Sequence, residues 1–204
     1  MPDIVEAAPS GRAKCRGCGT VIEKGSLRFG EAVPNAYGEG ESRLWFHPVC
    51  AACMRPEKFS QLLKVHEGEL PERATLERLA EAGVQFPRLA RICRGERDPS
   101  GRARCRHCKE LMEKGSLRIA LQLLEESRFQ PIGFIHLSCA FAYFARQAEE
   151  QPEGSSTTEA LPTPANSSLA STESLAQEIL ERIVRFTPNL DSAEREAISQ
   201  ILHA

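Results

Sequence analysis

Eight side chains of this 204-residue sequence fall into two sets of the same kind and spacing. Cys15 and Cys18 are separated by 28 residues from His47 and Cys50, and Cys105 and Cys108 by 27 residues from His136 and Cys139. Three thiolates and one imidazole satisfy a tetrahedral d¹⁰ ion, and each two-residue spacing lets two ligands grip it from one tight turn, so each set is expected to bind Zn²⁺. Four protein ligands leave no place for water, which makes the expected metal structural and not catalytic. Two zinc ions per chain follow. The metal matters because a unit below about 70 residues that is poor in aromatic side chains buries too little apolar surface to fold unaided. The N-terminus MPDIVEAAPSGRAKC lacks the apolar core of a signal peptide, so a reducing compartment is expected, where closely spaced cysteines bind metal more readily than they form disulfides.

The two sets belong to an internal repeat. Residues 9–30 align without a gap on residues 99–120, with 14 of 22 positions identical, and the offset of 90 residues becomes 89 at the His-x2-Cys pair. The repeat also sorts the remaining candidates. Cys53 stands two residues beyond Cys50, but its counterpart is Ala142, so it is expected to be an ordinary buried thiol. His107 lies between Cys105 and Cys108 where the first copy has Gly17, which reads as a surface histidine. Cys93 has no counterpart cysteine and falls among Leu89 and Ile92, on the expected apolar face of a helix.

Elements that would position these ligands are short. In each copy a Lys-Gly-Ser turn leads to an extended run, Leu27 to Phe29 or Leu117 to Leu121, and a second run enters the histidine at Leu44–Phe46 or Phe134–Ile135. A small antiparallel sheet is expected in each. AFAYFARQAEE after Cys139 reads as a helix with Phe141 and Phe144 on one face, while the equivalent helix of the first copy is cut short near Pro56. Between the copies, Phe59, Leu62, Leu63, Leu76, Leu79 and Ala80 follow helical periodicity, Gly83 suits a helix terminus, and Pro87 suits the first turn of another helix. Residues 149–170 are rich in Pro, Ser and Thr and are expected to form a disordered linker. Two helices should follow, opened by the capping patterns Ser174-x2-Gln177 and Asp191-x2-Glu194 and separated at Pro188. Leu175, Ile179, Ile183 and Phe186 form an apolar stripe, for which self-association or a foreign partner is expected.

The resulting fold class is small α+β zinc-stabilised modules. The expected divisions are a flexible N-terminus over 1–8, a first finger over 9–56, a helical insert over 57–98, a second finger over 99–148, the linker over 149–170 and a helical hairpin for interaction or dimerisation over 171–204.

Charge is uneven along the chain. Residues 1–146 carry 23 Lys plus Arg against 18 Asp plus Glu, whereas residues 147–204 carry 3 against 10, so the net charge of −2 conceals a mildly basic body and an acidic tail. No apolar run approaches the roughly 18 residues needed to span a bilayer, and no membrane association is expected. The chain also holds no GxxxxGK, no GxGxxG and no open metal site, which argues against an enzyme.

The run Ser-Gly-Arg-Ala-x-Cys-x2-Cys, then Lys-Gly-Ser-Leu-Arg, then an aromatic residue before His-x2-Cys, with Phe-Ile before the histidine in the second copy, resembles the PARP-type zinc finger. That finger occurs at the N-terminus of poly(ADP-ribose) polymerase and in a DNA ligase. The resemblance covers residues 9–55 and 99–146. It implies recognition of DNA strand breaks by structure: arginines reach the phosphates and minor groove, and an apolar loop stacks on the terminal base pair. By position, Arg12 and Arg102 match the Gly-Arg-Ala arginine, and Arg28 and Arg118 match the Ser-Leu-Arg arginine. Phe129 and Ile132 match the stacking loop of the second finger, with Tyr37 the aromatic residue in the first, so the second finger is expected to be the one that caps an end.

The expected function is non-catalytic binding of double-stranded DNA bearing nicks or ends. The alternative is a zinc-stabilised protein-interaction adaptor that does not bind DNA. With 20 Arg against 6 Lys and no Lys/Arg-rich run, a bacterial cytoplasm or nucleoid is expected, or the nucleus in a eukaryote.

Overall fold

A computed structural model describes residues 2–35, 38–125, 127–146 and 169–203. Tyr37 and the expected linker as far as residue 168 lie outside the described residues. Each finger is a three-stranded antiparallel meander in which the middle strand pairs with both neighbours. The first comprises β1 (Ile4–Ala7), β2 (Leu27–Pro34) and β3 (Glu41–Phe46); the second comprises β4 (Ile92–Arg97), β5 (Leu117–Glu125) and β6 (Arg128–His136). Strands β1 and β4 lie upstream of the boundaries expected at residues 9 and 99. Cys93 therefore lies in a strand, not on a helix, because Ile92 begins the edge of the second sheet.

His47 ends the first sheet and α1 (Pro48–Met54) starts at once, with Pro48 at a position where a missing N–H costs nothing. A second proline, Pro56, opens α2 (Pro56–Val65), and α3 (Arg73–Gln85) packs against it. Gly83 lies inside α3 and does not end it. A Cβ there would come within 2.6 Å of Pro56, so the missing side chain is what lets α3 close on the α1–α2 junction. The segment expected as a third helix is a single 3₁₀ turn, Pro87–Arg91, that feeds β4. In the second finger a 3₁₀ turn, Leu137–Cys139, leads into α4 (Ala140–Phe144). Phe144 is fully buried whereas Phe141 is exposed, so these two do not share a buried face.

One apolar core runs through both fingers and the helices between them. Its spine is aromatic: Phe59 of α2 meets Phe29 edge-on at 5.4 Å, Phe29 lies 6.3 Å from Phe46, and Phe46 meets Phe129 of the second finger edge-on at 6.3 Å. Edge-to-face pairs of this kind are worth about 0.5–1.5 kcal/mol each beyond the area they bury. The two fingers are thus in direct contact.

The C-terminal hairpin consists of α5 (Leu169–Phe186) and α6 (Ser192–His203). Ser174 lies within α5, so it caps nothing, whereas the second capping box is real: Asp191 Oδ1 accepts from Glu194 N–H at 2.7 Å and Glu194 Oε2 from Asp191 N–H at 3.4 Å. The expected unpartnered stripe is covered by the same chain. Leu175, Ile179, Ile183 and Phe186 are buried where α5 lies on β4 and beside α3. Gly95 permits this approach, since a Cβ at that position would lie 2.9 Å from Ile183, and Gly95 N–H donates to Thr187 Oγ1 at 2.8 Å. Acidic tail and basic body meet through Arg78 with Glu178 and Glu181, and through Arg97 with Glu194 at 2.9 Å. Arg182, fully buried, pairs with Glu178 and donates to the Leu79 carbonyl at 2.8 Å. Burial of the stripe removes the reason for expecting a dimer. Among the described residues, no helix is long and apolar enough to cross a membrane.

Candidate metal centres and nucleic-acid interface

The metal ligands come from three local devices repeated in both fingers. A knuckle between the first and second strands carries Cys-x2-Cys, the end of the third strand supplies the histidine, and the turn that follows supplies the last cysteine. In the first knuckle Cys15 N–H donates to Thr20 O at 2.8 Å and Gly19 N–H to Cys15 O at 2.9 Å. The second repeats this with Cys105 to Glu110 and Lys109 to Cys105, each at 2.9 Å. The tight return needs a positive φ. Gly19 adopts it without strain at 75°, while Lys109 is held there at 68°.

Cys15, Cys18, His47 and Cys50 converge, as do Cys105, Cys108, His136 and Cys139, with the ligand atoms of each set within 4.8 Å of one another. That spread and donor set fit Zn²⁺, whose bonds to sulfur are about 2.3 Å and to nitrogen about 2.0–2.1 Å. Each fold therefore builds a closed Cys₃His centre, and the chain has two zinc sites. Cys18 Sγ lies 3.4 Å from His47 Nδ1 and Cys108 Sγ 3.3 Å from His136 Nδ1. Backbone N–H groups back the inner thiols: His47 donates to Cys15 Sγ at 3.3 Å and His136 to Cys105 Sγ at 3.4 Å. Hydrogen bonding with Cys50 lowers Cys15 to about 6 and Cys18 to about 4, toward the thiolate form that binds metal, and raises Cys50 itself. Cys53 is buried outside this set, and burial pushes its thiol up. His107 also stays outside the second set, with burial and then Arg146 and Arg88 disfavouring its charged form.

The arginines expected to touch DNA divide into two kinds. Arg28 and Arg118 are buried. Arg28 pairs with Glu6 across β1–β2 at 2.5 Å and lies 3.5 Å from the centre of the Trp45 ring. Arg118 pairs with Glu96 at 2.5 Å and with Asp98, and lies 3.5 Å from the Phe134 ring. The recurring Ser-Leu-Arg arginine is thus the middle rung of a Glu–Arg–aromatic ladder across three strands, held inside the finger and not presented to an incoming phosphate. Glu6 and Glu96 were missed as functional residues, although they recur at the same offset of 90. The Gly101 and Ser100 N–H groups, then Arg118, hold the Asp98 carboxyl below its ordinary range. That contribution to stability is present above the unfolded carboxylate value and is lost as pH falls through the lower folded one. Ala8 occupies the same place in the first finger. Arg118→Ala is therefore expected to lower Tm more than Arg28→Ala, because it removes the cation from the buried Asp98 as well as from Glu96, although Asp98 keeps its backbone N–H donors and Glu96 keeps Arg94; equal shifts in parallel melts would refute this.

Arg12 and Arg102 are exposed. Arg12 opens a cleft of about 540 Å³ on the first finger, walled by Lys14, Arg16, Arg43 and Trp45. Four cations and no carboxylate line it. Arg43 donates to Pro2 O at 3.2 Å and lies 6.0 Å from the Trp45 ring, while no ion pair or side-chain hydrogen bond engages Arg12, Lys14 or Arg16 among the described residues. Arg104 donates to Lys109 O at 3.2 Å, Arg106 to Ile132 O, and Ile132 stands where the first finger has Arg43. Phe129 and Ile132 are half-buried against the core, and Phe129 faces Phe46. The loop expected to cap an end packs on the core where the fingers meet, and the cationic cleft lies on the first finger.

Residues 6–82 match the family described as the poly(ADP-ribose) polymerase and DNA-ligase zinc-finger region. Similar proteins include a poly [ADP-ribose] polymerase of Sarcophaga peregrina, 28% identical over 58% of this chain and 14% of the relative. Others are poly [ADP-ribose] polymerase 1 of Oryza sativa subsp. japonica, 28% identical over 66% of this chain and 14% of the relative, and that of Gallus gallus, 28% over 72% and 16%. The match thus spans about a seventh of each relative's length. Residues 6–82 are thus similar to a zinc finger of the poly(ADP-ribose) polymerase and DNA ligase type, and the second copy carries the same Cys₃His set.

Proposed function

We propose that this protein is a non-catalytic DNA-binding module that recognises breaks or ends in double-stranded DNA through the first finger. The carrying observation is the cleft of Arg12, Lys14, Arg16 and Arg43 around Trp45, a set of cations without acidic neighbours beside an aromatic face. Guanidinium groups fork onto phosphate oxygens, and a ring offers a sequence-tolerant stacking surface, which together suit a backbone and an exposed base rather than a base sequence. An adaptor that bound only protein would have no use for four unopposed cations in one cleft. The closed Cys₃His centres hold the cleft's walls in place and take no chemical part. Arg102, exposed on the second finger, adds one further contact to the same duplex.

Fluorescence anisotropy with nicked, blunt-ended and covalently closed circular DNA tests this. Nicked and blunt DNA should bind more tightly than the closed circle. Arg12→Ala and Lys14→Ala should each weaken binding of all sequences alike and reduce the salt slope by roughly one. Equal affinity for the closed circle would refute break recognition, and unchanged affinity in both variants would remove the cleft from the interface.

A further inference from the structure

Helix α5 presents two adjacent faces to two different neighbours. Leu175, Ile179, Ile183 and Phe186 form the apolar face, which lies on β4 of the second finger. Glu178, Glu181 and Arg182 form the charged face, one step round the helix, which meets α3. Cys53 of α1 lies within reach of the same charges: burial raises its thiol, and Arg182 and Arg185 act against that rise. The helices α1 to α3 pack with the first finger, where Phe59 meets Phe29. One helix therefore touches the bodies of both fingers.

The charged face is built around a buried guanidinium. Arg182 is fully buried and Glu178 nearly so. One terminal nitrogen of Arg182 donates to the Glu178 carboxylate and, at 3.2 Å, to the Glu178 carbonyl; the other donates to the Leu79 carbonyl of α3 at 2.8 Å. The second carboxylate oxygen of Glu178 accepts from Arg78, which also reaches Glu181 at 2.7 Å. Arg182 Nε has no hydrogen-bond partner among the described residues. A buried pair with a donor left over is a poor source of stability, because desolvating both charges offsets their attraction and an unmet N–H adds to the cost. The apolar stripe already supplies the burial that docks the helix. That burial is non-directional, so the stripe alone tolerates small slides and turns of α5. A planar guanidinium fork seated on Glu178 and on the α3 backbone does not.

We propose that Glu178 and Arg182 are positioning residues: they set the rotation and register of α5 on α3 and, because the same helix is seated on β4, they fix the angle between the two fingers. The seam contacts, Phe46 on Phe129 at 6.3 Å and Gln122 beside Met54 Sδ at 3.8 Å, join the fingers by apolar packing and one weak hydrogen bond to sulfur. Contacts of that kind hold two bodies together while leaving the angle between them loosely specified. The charged face of α5 supplies the direction that the seam lacks. This concerns the free protein and is independent of the DNA-binding reading.

The test uses the full-length, zinc-loaded protein with spin labels attached by non-thiol chemistry at Val21 and Leu111, exposed positions that correspond in the two fingers. Double electron–electron resonance on the otherwise unchanged chain should give one narrow distance. Glu178→Leu combined with Arg182→Met replaces the pair by apolar side chains. It should retain both zinc ions, a Tm no lower than that of the unchanged chain and hydrogen-exchange protection over residues 173–203, while the distance distribution broadens or splits. Arg182→Lys keeps a charge opposite Glu178 but cannot fork onto both Glu178 and the Leu79 carbonyl, so it should broaden the distribution too, and it decides the matter if the double variant does not fold. A distribution that stays narrow in the variants overturns the proposal, and a fall in Tm beside it would assign the pair to stability alone. Lost protection over residues 173–203 in a folded double variant also overturns it, since the pair would then hold the hairpin and not aim it. So does a distribution that is already broad in the unchanged chain.

Discussion

Stripping zinc with a strong chelator should unfold both fingers, and Cys108→Ala should release one of two zinc equivalents and unfold the second finger first. The magnitude follows from the ligands. Structural zinc contributes an apparent 10–16 kcal/mol or so to domains of this kind, as much as or more than the whole stability of an ordinary small domain. Cys53→Ala should retain both metals, since Cys53 is buried outside either ligand set. Lowering the pH should act in the same direction as chelation, because protons compete for thiolates and imidazole alike. Metal analysis alongside circular dichroism checks all four. An intact fold with one or no zinc would exclude the structural role, and loss of metal in Cys53→Ala would redraw the ligand set. Since Phe129 joins the second finger to Phe46, unfolding of that finger should also expose part of the first.

The centres were legible in the sequence because metal ligation is written in residue type and spacing, and the repeat states it twice. The edge strands were not. Ile4–Ala7 and Ile92–Arg97 are too short to show alternation, and the second contains a bulge between Ile92 and Arg94. Their one readable mark is the glutamate at the same offset in both copies, and it changes the reading of the arginines. Arg28 and Arg118 recur because Glu6, Glu96 and the aromatic residues at 45 and 134 require a cation between them. Recurrence in a repeat is thus as well explained by a shared fold as by a shared ligand. The exposed cations distinguish the fingers: Arg43 has become Ile132, and Arg16 and Arg106 have the same identity but different partners.

The docked hairpin was legible only by half. Periodicity shows that Leu175, Ile179, Ile183 and Phe186 must be covered, yet the complement that covers them is a glycine in β4, and the first finger has Val5 at that position. A missing side chain leaves no periodic signal. Ile183→Asp should therefore detach α5 and α6 from the second finger. Truncating a buried isoleucine to alanine typically costs about 2–5 kcal/mol, and an unpaired carboxylate at a fully buried site costs more, so release of the hairpin is cheaper than burial of the charge. Gly95→Val should do the same from the opposite side, because its side chain would occupy the space of the Ile183 methyl. Hydrogen exchange should show lost protection over residues 173–203 and over β4 in either variant, while both zinc ions remain. The exposed pair of Arg97 with Glu194 cannot hold the hairpin, since such surface pairs contribute about 1 kcal/mol or less. Retained protection in both variants would mean that Glu178, Arg182 and the Leu79 carbonyl, not the stripe on Gly95, fix the tail to the fingers.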